Sequence, residues 1–537
     1  MLQPSGWNNI MAAFLIGGDR MMTRFFFTWI LLACSLQAQN APHIRDWKQP
    51  AGQTPARPQS SCSDLRTLTG YEFSVITAVL HPASGDVPEF CRAIGQIQPE
   101  IRFEVSFPTA WNKRLYMFGN GGQAGENLEA PARIAHRDAA LKLGFAVAQT
   151  NTGHDAGQEP GWTFAINSQK LLDYAFRAVH VTAETAKRLS AAYYGSEPAR
   201  SYFNGCSTGG RQALISAQRF PRDFDGIIAG APVLNMTGIR LQSVAMDRAL
   251  AAAPIPIAKL KLLSDRVYAR CDAKDGLQDG LIDDPRRCDF QPSRHLPKCG
   301  DGDGPGCFTE GEIRSIEAIY GDIKIKGERV FPGRPLGAEV AGPNGRSGWD
   351  GWIVREGATP ISVEFAEGFF RYAAYPKKDP NYQLKDFDFE RDPPRLAWIG
   401  QLLDATQTDL SSFRQRGGKL LMWFGWADPA LTPFMGVEYY EAVLHQMGPA
   451  ARDFFKLYML PGVFHCSGGV GCASFDPLAP LIAWVEQGKA PESLPAARIE
   501  SDKVVRTRPL CPYPQVAKYK GSGSIDDAAN FACADPN

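Results

Sequence analysis

The sequence predicts an α/β fold carrying a large insertion, and three observations predict it. Short apolar runs that end in Gly, Asn, Asp or His recur along the chain. Helical periodicity separates several of them, and between about Leu234 and Leu403 the texture changes to Pro-, Gly-, Asp- and Cys-rich sequence with isolated aromatics. At 537 residues the chain exceeds the ~200–250 residues of one ordinary domain. Its 57 basic and 57 acidic side chains cancel without forming a basic block, so the electrostatic footprint of a nucleic-acid binder is absent.

The first element is a leader. Arg24 precedes the apolar run FFFTWILLA, and the small and polar residues CSLQAQNAP follow it, which is the order of charge, hydrophobic stretch and cleavage zone in an export signal. The run is too short for a membrane span, which needs about 20 residues. Residues 1–38 are therefore expected to be a signal peptide, with Met21 or Met22 as the true start and a secreted or periplasmic mature chain. The tetrapeptide LLAC also matches a lipobox and offers an alternative, a lipoprotein anchored through Cys34.

Five segments then read as buried strands of a parallel sheet: KRLYMFGNGG, GFAVAQTNTGH, RSYFNGCSTGG, GKLLMWFGWADP and FKLYMLPGVFHC. SQKLLDYAFRAVHVTAETAKRLSAAYY and GRQALISAQRF have helical spacing. The expected organisation is a catalytic core over 39–234, an inserted lid over 235–403 and the remainder of the core over 404–537. There is no internal repeat and no long low-complexity tract.

Within the third strand segment, Gly205-Cys206-Ser207-Thr208-Gly209 fits G-x-S-x-G. In a nucleophile elbow a strand turns sharply into a helix, and small residues two before and two after the serine relieve the crowding. Serine is a poor nucleophile unless a base takes its proton and an acid orients that base. In α/β-hydrolases the order along the chain is serine, acid, histidine. His465 follows a strand in a glycine-flanked loop, whereas His445 sits in the helical pattern YYEAVLHQM and reads as structural. Asp428, directly after KLLMWF, is the best-placed acid; its bland reading is an Asp-Pro turn. Two N–H donors are needed for the oxyanion, and they are expected from Thr208 and from Gly121 or Gly122 in FGNGGQAG.

Of twelve cysteines, eleven follow the leader, an odd set for an oxidising space. Close spacings such as CGDGDGPGC suit local disulfides, and zinc is disfavoured because tight C-x₂₋₄-C pairs with nearby His are missing. Cys206 and Cys466 flank Ser207 and His465, so any fold that joins the serine to the histidine also brings these sulfurs together. Cys206 could instead be a thiol nucleophile, but an elbow presents its third residue, Ser207.

The segments GCSTGGRQ, GWADPALTP and HCSGG resemble the Cys-Ser, Asp and His-Cys signature of the tannase and feruloyl esterase family, and the resemblance extends from about Cys62 to Cys533. It implies an α/β-hydrolase core with an inserted lid, a nucleophile at Ser207, an acid at Asp428, a base at His465 and a Cys206–Cys466 bridge. It further implies the bridges Cys62–Cys91, Cys271–Cys288, Cys299–Cys307 and Cys511–Cys533, which leave Cys472 without a partner. The loop CDAKDGLQDGLIDD resembles the family's structural calcium loop: Asp272, Asp275 and Asp279 would supply carboxylates and Leu277 and Leu281 backbone carbonyls. It is not an EF-hand, because the terminal Glu is missing. No organic cofactor is expected.

Lid aromatics Trp349, Trp352, Phe365, Phe369, Phe370 and Tyr372 could wall an aromatic acyl group. A terephthalate monoester carries a carboxylate that calls for a pocket cation, yet GATPISVEFAEGFF contains none and is only flanked by Arg355 and Arg371. The expected activity is therefore hydrolysis of small feruloyl-type esters, ahead of gallate esters and terephthalate monoesters. From other classes come a non-catalytic, calcium-stapled binding protein and a peptidase of the same fold.

Overall fold

The computed structural model describes residues 54–536 apart from 301 and 344; the leader, both candidate start methionines and Cys34 lie outside the described residues. Up to residue 460 the strands are β1 (Phe73–His81), β2 (Phe90–Ile97), β3 (Ile101–Pro108), β4 (Arg114–Phe118), β5 (Ala146–Thr150), β6 (Arg200–Cys206), β7 (Gly226–Gly230), β8 (Ile323–Ile325), β9 (Glu328–Phe331), β10 (Lys419–Gly425) and β11 (Phe455–Leu460); the strands after it form two small separate sheets. Nine of them form one sheet in the order β1-β2-β3-β5-β4-β6-β7-β10-β11. From β5 to β11 all pairings are parallel, while β1, β2 and β3 run antiparallel to their neighbours. The five strand segments read from sequence are β4, β5, β6, β10 and β11.

Helices cover the sheet, which is why β4, β5 and β7 are buried along their whole length and their sequences are apolar without alternation. The helices α1 (Pro131–Lys142), α2 (Ser168–Leu172), α3 (Ala178–Tyr194) and α4 (Thr208–Arg219) belong to the core. Between α2 and α3 one π-helical turn, Asp173–Arg177, makes the predicted long helix continuous. Arg211 of α4, fully buried, donates to the carbonyls of Tyr174 (3.0 Å) and Ala175 (2.8 Å) in that turn. It thereby satisfies groups that π-helical winding diverts from the regular ladder.

Registers Cys206↔Gly230 and Gly425↔Leu460 align the C-terminal ends of β6, β7, β10 and β11. The loops carrying Ser207, Asp428 and His465 therefore leave the same edge of the sheet, where open α/β folds build their sites.

Between β7 and β10 the chain adds no strand to this sheet. It forms α5 (Met236–Ala252), α6 (Ile257–Cys271), further helices including Glu310–Tyr320 and Ile361–Tyr372, and the β8–β9 hairpin. Leu263, Val267, Ile316 and Trp349 give this segment an apolar cluster of its own, which also takes in Ala427 and Phe464, the residues just before Asp428 and His465.

All five bridges that the family resemblance implied are formed: Cys62–Cys91, Cys206–Cys466, Cys271–Cys288, Cys299–Cys307 and Cys511–Cys533. Cys472 is a free, buried thiol whose pKa burial pushes up to about 11. Among the described residues no helix is long and apolar enough to cross a membrane.

Candidate active site

Ser207 occupies the turn between β6 and α4 with φ 62° and ψ −120°. A non-glycine residue there carries backbone strain of order 1–3 kcal/mol, which the surroundings must hold. They do so through Ser207 N to Gly230 O (2.9 Å), Val233 N to Ser207 O (3.1 Å) and Arg211 N to Ser207 O (3.0 Å). A Cβ on residue 205 would come within 2.5 Å of the Gly209 backbone, so the elbow closes only with glycine at that position. Ser207 is half-buried amid fully buried neighbours.

Asp428 is fully buried, and its Oδ1 accepts the N–H groups of Ala430 (2.8 Å) and Leu431 (2.9 Å). Its Oδ2 lies 2.8 Å from His465 Nδ1. With Nδ1 committed to the acid, Nε2 is the histidine atom available for proton transfer. The Cys206–Cys466 bridge, with a Cα–Cα distance of 5.9 Å, joins the residue before Ser207 to the residue after His465. The Ser207 hydroxyl forms no hydrogen bond with any described residue. His445 is exposed on the helix Phe434–Met447.

The glycine-rich loop after β4 lies against the elbow. Thr208 Oγ1 donates to Gly122 O (2.5 Å), and Tyr174 Oη approaches the same carbonyl at 3.4 Å. The two glycines are not equivalent: the Gly121 N–H donates to Glu126 Oε1 at 2.7 Å, whereas the Gly122 N–H has no partner among the described residues. Glu126 was not singled out from the sequence; an acid five residues after a glycine has no spacing signature.

The aromatic residues divide. Trp352 sets its ring edge-on to His465 (5.6 Å between centroids, 77°) and packs near Phe365 (6.4 Å); both rings are half-buried. Trp349, Phe369 and Phe370 are instead core residues, packed on Tyr320, Trp162 and Tyr382 respectively, and this corrects their grouping with the pocket wall. Tyr372 is only partly buried. GATPISVEFAEGFF itself carries no cation, but one approaches Phe365 from another element. Arg240 of α5 is buried and places its guanidinium 5.5 Å from the Phe365 ring and 5.9 Å from Phe369, and burial pushes its pKa down to about 10. It comes from α5, more than a hundred residues upstream of GATPISVEFAEGFF.

The acidic loop departs from the expected calcium cage. Asp272 accepts the N–H groups of Asp279 (3.2 Å) and Gly280 (3.1 Å), Asp275 accepts that of Leu277 (2.9 Å), and Asp279 pairs with Arg508 (2.6 Å). Leu281 is a buried core residue and Leu277 is partly buried. Among the described residues no group of three or more His, Cys, Asp or Glu side chains is arranged to hold a metal ion. Asp283, overlooked in the sequence, has its carboxyl pushed up to about 7 by burial and by repulsion from Asp275, Asp284 and Asp279.

A mostly parallel sheet, a strained serine at a strand-to-helix elbow and an Asp–His pair on neighbouring strand ends define an α/β-hydrolase. The feruloyl esterase B structure from Aspergillus oryzae superposes with a TM-score of 0.76 at 25% identity, covering 88% of this chain and all of that one. Tannin acyl hydrolase from Aspergillus niger shares the fold, with a TM-score of 0.70 at 21% identity over 90% of this chain and 96% of that one. The family model described as tannase and feruloyl esterase matches residues 85–534, and the chain belongs to that family. It is 35% identical to an uncharacterized esterase of Xanthomonas campestris pv. campestris over 90% of this chain and 92% of the relative. It is 33% identical to mono(2-hydroxyethyl) terephthalate hydrolase of Piscinibacter sakaiensis over 84% and 85%. The protein is thus a carboxylic ester hydrolase of the tannase and feruloyl esterase family.

Proposed function

We propose that the protein is an exported serine esterase that cleaves esters of aromatic acids through an acyl-enzyme. The observation that carries this reading is the buried Asp428–His465 pair, cross-linked beside a serine held at φ 62°. Ser207 attacks the ester carbonyl as His465 Nε2 takes its proton, and the tetrahedral oxyanion is met by the N–H groups of Thr208 and Gly122. Protonated His465, oriented by Asp428, then gives its proton to the departing alcohol. Water, deprotonated by the same nitrogen, releases the acid and restores Ser207. The segment 235–403 acts as a lid that brings Trp352 and Phe365 over the acyl group.

Feruloyl-type esters are the proposed substrates. Terephthalate monoesters are a second reading, favoured by Arg240 behind the Phe365 ring and by Arg334, which is fully buried with no hydrogen-bond partner for its guanidinium nitrogens among the described residues. Relative kcat/KM for methyl ferulate, methyl gallate and mono(2-hydroxyethyl) terephthalate distinguishes these readings. Covalent labelling of Ser207 by a fluorophosphonate tests the mechanism, and a protein that is neither labelled nor active on any of these esters would sink it.

Export is supported by the five disulfides, which persist in oxidising compartments. Calcium in the 271–288 loop is also a proposal, in a structural role. The mutual repulsion of Asp275, Asp279 and Asp283 supports a cation there, and binding it would require Asp279 to exchange Arg508 for the ion.

A further inference from the structure

The loop after β4 carries two adjacent glycine N–H groups, and side chains outside the Ser–His–Asp set distinguish them: that of Gly121 is taken by Glu126 and that of Gly122 has no partner among the described residues. We infer that Glu126 is a positioning residue that makes the Gly122 N–H the oxyanion donor, acting through Asn120 and Gly121 from a register set by Gln212. The inference rests on the serine-esterase reading given above.

The chain of contacts starts on the nucleophile helix. Gln212, five residues after Ser207 and buried, forms a reciprocal amide pair with Asn120. Asn120 N donates to Gln212 Oε1 (3.0 Å), and Gln212 Nε2 donates to Asn120 Oδ1 (3.1 Å). With Oδ1 accepting, the Asn120 side chain can only donate from Nδ2, and it does so to Thr150 O (2.9 Å) and Glu126 Oε2 (2.7 Å). The other carboxylate oxygen, Oε1, takes the Gly121 N–H at 2.7 Å and has Arg133 Nη1 at 3.6 Å. Glu126 therefore holds two donors of neighbouring residues with its two oxygens, a task that a group accepting at both ends performs and an amide does not.

The next peptide is then oriented. Ala124 N donates to Gly121 O (2.7 Å), turning that carbonyl into the loop. In a trans peptide the N–H lies opposite the carbonyl, so the Gly122 N–H, with Gly122 at φ 50°, points away from the turn. The Gly122 carbonyl is in turn held by Thr208 Oγ1, and Thr208 supplies the other proposed oxyanion donor. Both donors are thus mechanically joined, and the loop reaches the geometry without waiting for substrate, which is what electrostatic preorganisation requires.

The isosteric Glu126→Gln opposes an amide NH₂ to either Asn120 Nδ2 or the Gly121 N–H, and Glu126→Ala releases both donors. For each variant, kcat should fall roughly 10²-fold with KM little changed, the order seen when one oxyanion donor is removed. Affinity for an arylboronic acid, whose adduct with Ser207 carries a tetrahedral oxyanion, should weaken by the same factor as kcat/KM. Inhibition by the carboxylic acid product should be unaffected. Should Glu126→Ala fail to fold, the same measurements on Glu126→Gln and on Gln212→Leu decide the matter. A lowered melting temperature with kcat and boronate affinity retained would overturn the inference and leave Glu126 a loop staple. Hydrolysis by Ser207→Ala would instead overturn the esterase reading itself.

Discussion

Asp428 Oδ2 and His465 Nδ1 are 2.8 Å apart, and the second oxygen of the same carboxylate is held by two backbone N–H groups. The acid is therefore fixed before it orients the base. Asp428→Asn keeps the volume but presents the wrong partner to Nδ1, and kcat should fall about 10⁴-fold with the fold intact. Steady-state kinetics together with a melting curve checks this; a loss of less than tenfold would remove Asp428 from the proposed triad.

The Cys206–Cys466 bridge holds the serine and histidine loops in register. Cys206→Ala combined with Cys466→Ala should lower kcat by about 10–100-fold, since a displacement of about 1 Å at a reacting pair costs on that order. Stability should drop by about 2–4 kcal/mol, the usual range for a lost disulfide. Chemical denaturation and single-turnover kinetics on the double variant separate the two effects, and unchanged turnover would show that the bridge serves stability alone.

Trp352 meets His465 edge-on and leaves part of its ring accessible. Trp352→Ala should reduce kcat/KM for aromatic acyl esters by roughly 3–10-fold, corresponding to one aromatic contact, while acetyl esters are nearly unaffected. Equal losses on both substrates would assign Trp352 to packing within the segment between β7 and β10.

Asp404 accepts bonds from Thr237 N (3.1 Å) and Thr237 Oγ1 (2.7 Å), yet burial pushes its carboxyl up to about 6. A carboxyl that binds its proton more tightly when folded supports the fold at low pH. That support is lost as pH rises from about 4 through 6, and the deficit reaches about 3 kcal/mol above that window. Asp404→Asn should therefore raise the melting temperature at pH 7.5 and give no gain at pH 4. Calorimetry at both values tests it, and a difference that does not vary with pH would refute the account.

Calcium binding in the acidic loop predicts that millimolar Ca²⁺ raises the melting temperature relative to excess EDTA, and that Asp275→Asn abolishes the rise. No shift with Ca²⁺ would leave Asp279 as the permanent partner of Arg508.

The catalytic strands were legible because a parallel strand covered on both faces must be apolar throughout and must end in loop residues, as RLYMF and KLLMWFG do. β1 and β2 lack a continuous apolar run, since β2 alternates buried and part-buried positions and FSVITAVLH carries no turn signal that separates it from loop. β7, GIIAG, is too short and glycine-rich to stand out. In the site, Ser207, Asp428 and His465 could be found because each follows a strand in the required order. Glu126, Arg240 and Arg508 could not, since their contacts depend on tertiary packing rather than on any local spacing. The same limit explains the aromatics between β7 and β10, whose spacing does not distinguish Trp352, beside His465, from Trp349 in the core.

The two halves of the Cys206–Cys466 bridge stand 260 residues apart and bracket the entire inserted segment. The chain cannot secure this closure while it is being synthesised from the N-terminus, because Cys466 emerges only after the insertion is complete. This bridge therefore forms only after the whole inserted segment has been made. In a reducing environment the chain would carry its histidine loop untethered, and oxidation would supply the tether that joins that loop to the serine turn.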